Sequence, residues 1–206
     1  MSSITTHKVK LTEDHLKRVS RTSPISAIEE LIWNSLDADA TEISFRINDN
    51  PLGGNLSITL EDNGTGVTHK QVNNFISSLG LSWKSKKHET DSGRPIHGEK
   101  GEGRFKAFSL GRVTDWESTY KQGDDFYRLE VKFKSDALNQ FEVVPPIKLD
   151  NPPTSTGLKV SISELEKKIA GNKFLDLENQ LLQCFGSYLY NYSNIKLWVN
   201  GNQLDV

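Results

Sequence analysis

Apolar positions near the start of the chain recur at helical spacing. They follow Ser23 and predict a helix from Pro24 to about Asp37, with Ser23 as its N-cap and Pro24 in its first turn. The polar positions of the same stretch fall on the opposite side of the helix and include carboxylate and amide groups. The segment therefore predicts an amphipathic helix whose polar side is available for chemistry.

Alternating or continuous apolar runs further along the chain predict strands. We predict strands at 42–48, 56–61, 113–120, 125–134, 141–149, 158–162 and 195–199, and helical segments at 13–19, 69–79, 105–110 and 165–190. Strand and helix do not alternate regularly, which argues against a doubly wound dinucleotide-binding fold. This order predicts an α/β two-layer sandwich, in which helices cover one face of a mixed, largely antiparallel sheet.

The irregular parts of the chain suggest its organisation. Residues 1–20 form a polar N-terminal arm, and residues 21–206 are predicted to form one domain. A long segment from residue 80 to 98 has little periodicity and is rich in Ser, Lys, His and Gly. Such a segment inside a folded domain is typical of a functional lid or of disorder.

Composition narrows the class of protein. Hydrophobic residues make up 35% of the 206 residues and charged residues 25%, which is typical of a globular protein. The net charge of −2 gives no overall field that would attract nucleic acid or anionic lipid. No signal sequence or membrane span is evident, so we expect a cytoplasmic protein with no membrane partner. The single cysteine, Cys184, is expected to be a buried core residue.

The first chemical motif lies on the predicted helix. Glu30 and Asn34 are four residues apart, so they project from one helical face. Asn34 could offer an amide oxygen to Mg²⁺, Glu30 could activate a water, and Asp37 could brace the site by hydrogen bonding. A solvated polar face without a ligand explains the same pattern.

The second motif follows a predicted strand. Asp62 comes at the strand end, and Gly64 and Gly66 after it allow a turn or the close approach of a ligand. A buried carboxylate at this place could accept a hydrogen bond from the amine of adenine and so select against guanine. An ordinary Asp-Asn-Gly turn explains the segment equally well.

The third motif is a glycine cluster. Gly98, Gly101 and Gly103 precede an apolar helical run and could converge backbone N–H groups on phosphate. Cations at Lys100, Arg104 and Lys106 could add charge. The spacing does not match the Walker pattern, and a glycine hinge is the alternative.

The three motifs in this order resemble those of the Bergerat-fold, or GHKL, ATPases. This group includes gyrase, the ninety-kilodalton heat-shock chaperone, sensor histidine kinases and mismatch-repair MutL. The resemblance spans Pro24 to Ile162. The segment from Gly80 to Lys84 is similar to the start of the lid in Microrchidia-type ATPases, which implies a lid at about residues 80–103.

The resemblance implies ATP and Mg²⁺ as ligands. By likeness, Glu30 is the catalytic base and Asn34 the metal ligand. The implied nucleotide-binding residues are Asn34, Asp37, Asp62, Gly64, Gly66, Lys84, Gly98, Lys100, Gly101, Glu102, Gly103, Arg104, Phe105 and Thr156. Several members have Gly-Thr at the start of the late strand, whereas this chain has Gly157-Leu158, and we expect the adjacent Thr156 to substitute.

The expected function is Mg-ATP binding and slow hydrolysis, coupled through lid closure to dimerisation or to engagement of a partner. We expect a homodimer through the N-terminal arm and lid, and a transducer or effector domain outside this chain, which would then be a fragment. One alternative is a nucleotide-gated interaction module without turnover of its own. A histidine kinase domain is a weaker alternative because the five histidines lie in no phosphoacceptor helix. Direct nucleic acid binding by this domain alone is not expected, since Trp83 is the one aromatic residue among the basic residues of the lid.

Overall fold

In the residues that the structure describes, the fold is an eight-stranded sheet with helices packed on one face. The computed structural model describes residues 22–48, 57–72, 88–97, 106–137, 141–165 and 176–206. Its strands are β1 (Glu42–Asn48), β2 (Ser57–Asp62), β3 (Gly111–Gln122), β4 (Asp125–Lys134), β5 (Phe141–Lys148), β6 (Gly157–Leu165), β7 (Lys196–Val199) and β8 (Asn202–Gln203). Their spatial order is β5-β4-β3-β6-β2-β1-β7-β8, and every pair is antiparallel except β1 with β7.

The sheet has one apolar and one polar face because side chains alternate along each strand. A row of directly opposed, buried residues crosses the inner face at Phe45, Leu60, Val160, Trp116 and Val131. One residue further along, the outer face carries Ser44, Glu61, Lys159, Glu117 and Glu130. The helices therefore cover the inner face, as the sequence predicts.

Helix α1 (Pro24–Asp37) begins and ends where the sequence predicts. The Ser23 hydroxyl accepts a hydrogen bond of 3.1 Å from the Ser26 backbone N–H, which satisfies one of the free donors at the helix start. The apolar stripe is buried against the sheet at Ala27, Ile28, Leu31, Ile32 and Leu36. Asp39 follows with φ 62°, a left-handed conformation that ends the helix and that aspartate tolerates.

Helix α2 (Leu177–Asn191) packs beside α1 through Leu181, Phe185 and Leu189, which are buried in the same core. Cys184 lies on this helix, half-buried, and packs against the core. Burial raises the pKa of its thiol. Among the described helices, none is long and apolar enough to cross a membrane.

Two predicted elements differ from the structure. The described end of the helix predicted at 105–110 is a short 3₁₀ helix (Ala107–Ser109), and β3 begins at Gly111, where it pairs with β6. The helical prediction from 165 fails at its start, since Leu165 is the last residue of β6. Strand β8 was not predicted, because its two residues carry no pattern. The predicted arm (1–20) and most of the 80–103 segment lie outside the described residues.

Candidate functional site

The sheet brings the end of β2 next to the start of β6. Glu61 lies opposite Lys159 in the antiparallel register, so Asp62 lies beside Gly157 and Leu158. The second half of helix α1 lies over the same point, and its Ser35 side chain contacts Asp62. The second motif and the late strand thus meet under the helix that carries the first motif.

Asp62 is a buried carboxylate held by three donors. Its Oδ1 accepts hydrogen bonds from the backbone N–H groups of Gly64, at 2.9 Å, and Leu158, at 3.2 Å. Its Oδ2 accepts one from the Ser35 hydroxyl at 2.7 Å. Burial raises the pKa of the Asp62 carboxyl above 3.8, against the lowering effect of these hydrogen bonds.

The two glycines of the second motif allow close contacts within the chain itself. A Cβ on Gly64 would lie 2.6 Å from the Ala38 carbonyl oxygen. Gly66 has φ 70°, and a Cβ there would lie 2.4 Å from the Thr119 carbonyl oxygen. Both positions therefore require glycine so that the loop after β2 can pack against α1 and β3. A contact of either glycine with a ligand stays a prediction.

Thr156 braces the same loop. Its hydroxyl donates a hydrogen bond of 2.7 Å to the Gly64 carbonyl oxygen. This chain has Leu158 where several family members have threonine. The Leu158 backbone N–H donates a hydrogen bond to Asp62, so this support of the carboxylate needs no side-chain hydroxyl at position 158. The predicted contact between Thr156 and adenine remains untested.

Glu30 and Asn34 lie one turn apart on α1, and both side chains are partly exposed. The Lys106 ammonium donates a hydrogen bond of 2.7 Å to Glu30 Oε2. The exposed fractions of these side chains are 30% for Lys106 and 22% for Glu30, so the ion pair is only partly shielded from water. From the sequence, Lys106 is only one of several cations that could add charge near phosphate. In the fold it forms an ion pair with Glu30, the predicted catalytic base.

Asp37 and His97 join helix α1 to the segment that enters the glycine cluster. Asp37 Oδ1 accepts a hydrogen bond of 3.0 Å from the His97 backbone N–H. The His97 ring stacks on Trp33 with 3.7 Å between ring centroids, and Trp33 in turn contacts Phe185 and Tyr188 of α2. Trp33 therefore packs between His97 and the side chains of α2.

Asp39 anchors the rest of that segment. Its carboxylate accepts hydrogen bonds from the Asp91 and Ser92 backbone N–H groups, and from Arg94 at 3.1 Å. Burial raises the pKa of Asp39, but the hydrogen bonds from Ser92, Thr90 and Arg94 and the Arg94 charge outweigh it, so the pKa lies below 3.8. Arg94 is only 5% exposed, so this cation of the basic lid is not available to a polynucleotide.

Eight predicted site residues lie outside the described residues: Lys84, Gly98, Lys100, Gly101, Glu102, Gly103, Arg104 and Phe105. Sequence reasoning missed Ser35, a polar residue inside the apolar stripe of α1 and only 3% exposed. A hydroxyl at a core position of a predicted helix is a signal that could have found it, because a buried polar group needs a partner.

The donor set fits a metal shared with phosphates. Within the described ranges no group of three or more His, Cys, Asp or Glu side chains could hold a metal ion. The amide of Asn34 supplies one hard oxygen on a partly exposed helix face. This arrangement suits Mg²⁺, which keeps several waters and is usually bound by few protein oxygens together with substrate phosphates.

Comparisons with known proteins show the family of this chain. The family model described as "Histidine kinase-, DNA gyrase B-, and HSP90-like ATPase" matches residues 22–163. The chain is 33% identical over 99 residues to the DNA mismatch repair protein MutL of Shewanella woodyi, covering 48% of this chain and 16% of that protein. It is 32% identical over 103 residues to MutL of Shewanella oneidensis, covering 49% and 15%.

A further relative is a candidate type II restriction enzyme, HgiDII, of Herpetosiphon aurantiacus. The chain is 30% identical to it over 86 residues, which are 42% of this chain and 13% of the enzyme. The chain thus spans less than a fifth of the length of each of these relatives. The family match covers more than half of the chain and includes the helix and the strand end described above. The chain therefore belongs to the histidine kinase-, DNA gyrase B- and HSP90-like ATPase family, as an ATP-binding domain of that class.

Proposed function

We propose that this chain binds Mg-ATP and hydrolyses it slowly, and that nucleotide binding closes the lid at residues 80–103 and is coupled to dimerisation or partner engagement. The observation that carries the proposal is the hydrogen bonding of Asp62. This carboxylate lies under the helix that presents Glu30 and Asn34. The cytoplasmic location and the domain bounds 21–206 are part of the same proposal.

Adenine recognition is argued from the donors around Asp62. A carboxylate has about four lone-pair positions, two on each oxygen. Oδ1 already accepts two backbone N–H groups, while Oδ2 accepts one hydroxyl and keeps one position. That position suits the exocyclic amine of adenine. Guanine has a carbonyl oxygen there and would place an acceptor against an acceptor.

The phosphate end is assigned to helix α1 and the glycine cluster. Mg²⁺ would be held by Asn34 together with the phosphates and would neutralise part of their charge. Asp37 and Asp39 support this end indirectly, because they fix residues 91–97 directly before the predicted phosphate-binding glycines.

Hydrolysis needs a group that orients the attacking water, and Glu30 is the candidate. The water oxygen forms a bond to the terminal phosphorus as the bond to the bridging oxygen of ADP breaks, and Glu30 accepts the proton of the water. Family members that transfer phosphate to histidine usually lack this glutamate, so its presence favours hydrolysis over the kinase alternative.

Glutamate replacement tests this proposal. In Glu30→Gln we expect phosphate release to fall at least about a hundredfold, the range typical of a lost general base. Calorimetry should show that Mg-ATP binding is retained. Glu29→Gln, on the neighbouring position of the same helix, is the matched control. Full turnover in Glu30→Gln would exclude Glu30 as the base, and a wild-type protein that binds no ATP would overturn the proposal.

A nucleotide-gated module without turnover of its own is the second candidate. It is supported by the coverage of the relatives, since the chain matches only a small part of each. Measuring specific turnover against protein concentration separates the candidates. A rate per molecule that increases with concentration indicates that a second copy completes the site, whereas a constant rate indicates a self-sufficient domain.

A further inference from the structure

Lys106 contacts the proposed catalytic base from outside helix α1. Its Nζ lies 2.7 Å from Glu30 Oε2. The Lys106 carbonyl oxygen accepts a hydrogen bond of 2.8 Å from the Ser109 hydroxyl, which ties Lys106 to the turn before β3. This pair differs from the ion pairs on the outer sheet face, such as Lys132 with Asp115, whose side chains are 46% and 43% exposed.

The position of Glu30 fixes where a reacting phosphate must lie. A water oriented by Glu30 lies about 2.6–3.2 Å from its oxygen, and the attacked phosphorus lies about 3–3.5 Å from the water. The phosphorus is therefore within about 7 Å of the Glu30 carboxylate. The Lys106 ammonium is already at that carboxylate, on a flexible four-carbon stem, so rotation of the stem brings it to the phosphate.

The energetics favour an exchange of partners. A partly exposed ion pair is worth about 0–1 kcal/mol, so opening it costs little. The terminal phosphate of ATP carries more negative charge than one carboxylate and offers three oxygens, so it attracts the ammonium more strongly. Release of Glu30 Oε2 by Lys106 also frees that oxygen to accept the proton of the water.

From this geometry we propose that Lys106 binds the terminal phosphate of ATP. To reach that phosphate, Lys106 breaks its ion pair with Glu30. The inference rests on the proposed function, because it requires ATP in the site with its terminal phosphate near Glu30. It makes Lys106 a residue of this chain that distinguishes ATP from ADP. A purely structural ion pair would make no such distinction.

Comparing two nucleotides tests the inference. Calorimetry gives the Kd of ADP and of a nonhydrolysable ATP analogue, both with Mg²⁺, for wild type and Lys106→Met. We expect the analogue to bind about tenfold more weakly or worse in Lys106→Met, the loss typical of a charge-assisted hydrogen bond, and ADP to change by less than about twofold. Lys132→Met is the matched control and should leave both constants unchanged.

Two further variants separate this role from a structural one. Lys106→Arg keeps the charge and should keep most of the preference for the analogue. Glu30→Gln removes the ion pair but keeps Lys106, so the preference should be retained. Thermal unfolding monitors every variant, and Lys106→Gln replaces the Met variant if that variant does not melt cooperatively.

The outcomes distinguish the two proposals. Lys106 is not a phosphate ligand if Lys106→Met changes the two Kd values by equal factors or not at all. The same conclusion follows if Glu30→Gln loses the preference for the ATP analogue over ADP as Lys106→Met does. In both cases the ATP-binding proposal stands. A wild-type protein that binds neither nucleotide overturns both.

Discussion

The Ser35 hydroxyl donates a hydrogen bond of 2.7 Å to Asp62 Oδ2, and this bond joins helix α1 to the end of strand β2. The exposed fractions are 3% for Ser35 and 8% for Asp62, so water does not compete for the contact. Ser35 follows Asn34 directly in the helix. One helical turn therefore carries Asn34, the amide assigned to Mg²⁺, and also bonds Asp62, the carboxylate assigned to adenine. This arrangement fixes the spacing between the two ends of the proposed site.

Ser35→Ala should weaken nucleotide binding and lower stability. The substitution removes a donor from a buried carboxylate, and such a loss costs about 1–3 kcal/mol of the free energy of unfolding. We expect the affinity for ADP to fall as well, because Asp62 Oδ2 loses the group that orients it. Urea unfolding and calorimetry measure the two effects. Ser161→Ala, on the outer face of β6, is the control, and equal results for both variants would contradict the assignment.

Asp62→Asn should separate binding from folding. Asparagine has nearly the same shape, its Oδ1 can keep the Gly64 and Leu158 hydrogen bonds, and its amide can donate to the Ser35 hydroxyl. The fold should therefore persist. The new amide donor would meet the amine of adenine, so affinity should fall about tenfold to a hundredfold, as for a hydrogen bond to a charged group.

The control for Asp62→Asn is Glu61→Gln, one residue earlier and exposed on the outer face. Calorimetry with ADP and thermal unfolding at neutral pH compare the variants. Normal ADP affinity in Asp62→Asn would remove Asp62 from the adenine site, whatever its effect on stability.

Acidification should have opposite effects on binding and on the contribution of Asp62 to stability. Because burial raises the pKa of Asp62 above 3.8, its carboxyl takes up a proton at a higher pH in the fold than in the unfolded chain. The protonated oxygen accepts hydrogen bonds less well, so ADP affinity should fall as the pH is lowered through the raised pKa.

The contribution of Asp62 to stability changes with pH in the direction opposite to that of ADP affinity. It is fully present below pH 3.8 and is lost as the pH increases through the raised pKa, since the fold then buries a charge. Thermal unfolding of wild type against Asp62→Asn should show the Asn variant gaining relative stability with increasing pH. A pH-independent difference would indicate that the Asp62 pKa is not raised.

The fold was predictable where a local pattern coincides with burial. Helix α1 and strand β1 have the predicted bounds because each has an apolar face of the right period, and α1 also has a cap. Strand β3 begins at Gly111, two residues before its predicted start, where Gly111 pairs with Leu165 of β6. That pairing joins residues far apart in sequence, and local spacing does not contain it.

The candidate site was predictable as a set of motifs but not as a set of contacts. The residue types and order of Glu30, Asn34 and Asp62 suffice for an ATP-site hypothesis. The partners of these side chains are set by tertiary structure: Lys106 lies 76 residues beyond Glu30, and Leu158 lies 96 beyond Asp62. The match of the Leu158 backbone to Asp62 also shows why an absent threonine need not remove the support of that carboxylate.

Asp39→Asn should loosen the segment that leads into the glycine cluster. Asparagine tolerates the left-handed φ of 62°, so the backbone at residue 39 is not strained by the change. The variant loses the carboxylate that pairs with the buried Arg94 guanidinium at 3.1 Å. Leaving that group without its charged partner should cost about 1–3 kcal/mol of the free energy of unfolding at pH 7.

The pH dependence identifies the cause. Because the pKa of Asp39 lies below 3.8 in the fold, its stabilising contribution is fully present above 3.8 and is lost as the pH falls through the lowered value. Urea unfolding should therefore show a difference between wild type and Asp39→Asn at pH 7 that becomes smaller at the lowest pH where wild type stays folded.

Asp115→Asn breaks the exposed pair with Lys132 and should cost less than about 1 kcal/mol. If the two variants are equally stable at pH 7, the Asp39–Arg94 pair does not anchor residues 91–97. If Asp39→Asn also weakens ADP binding while Asp115→Asn does not, the anchor acts on the proposed phosphate end.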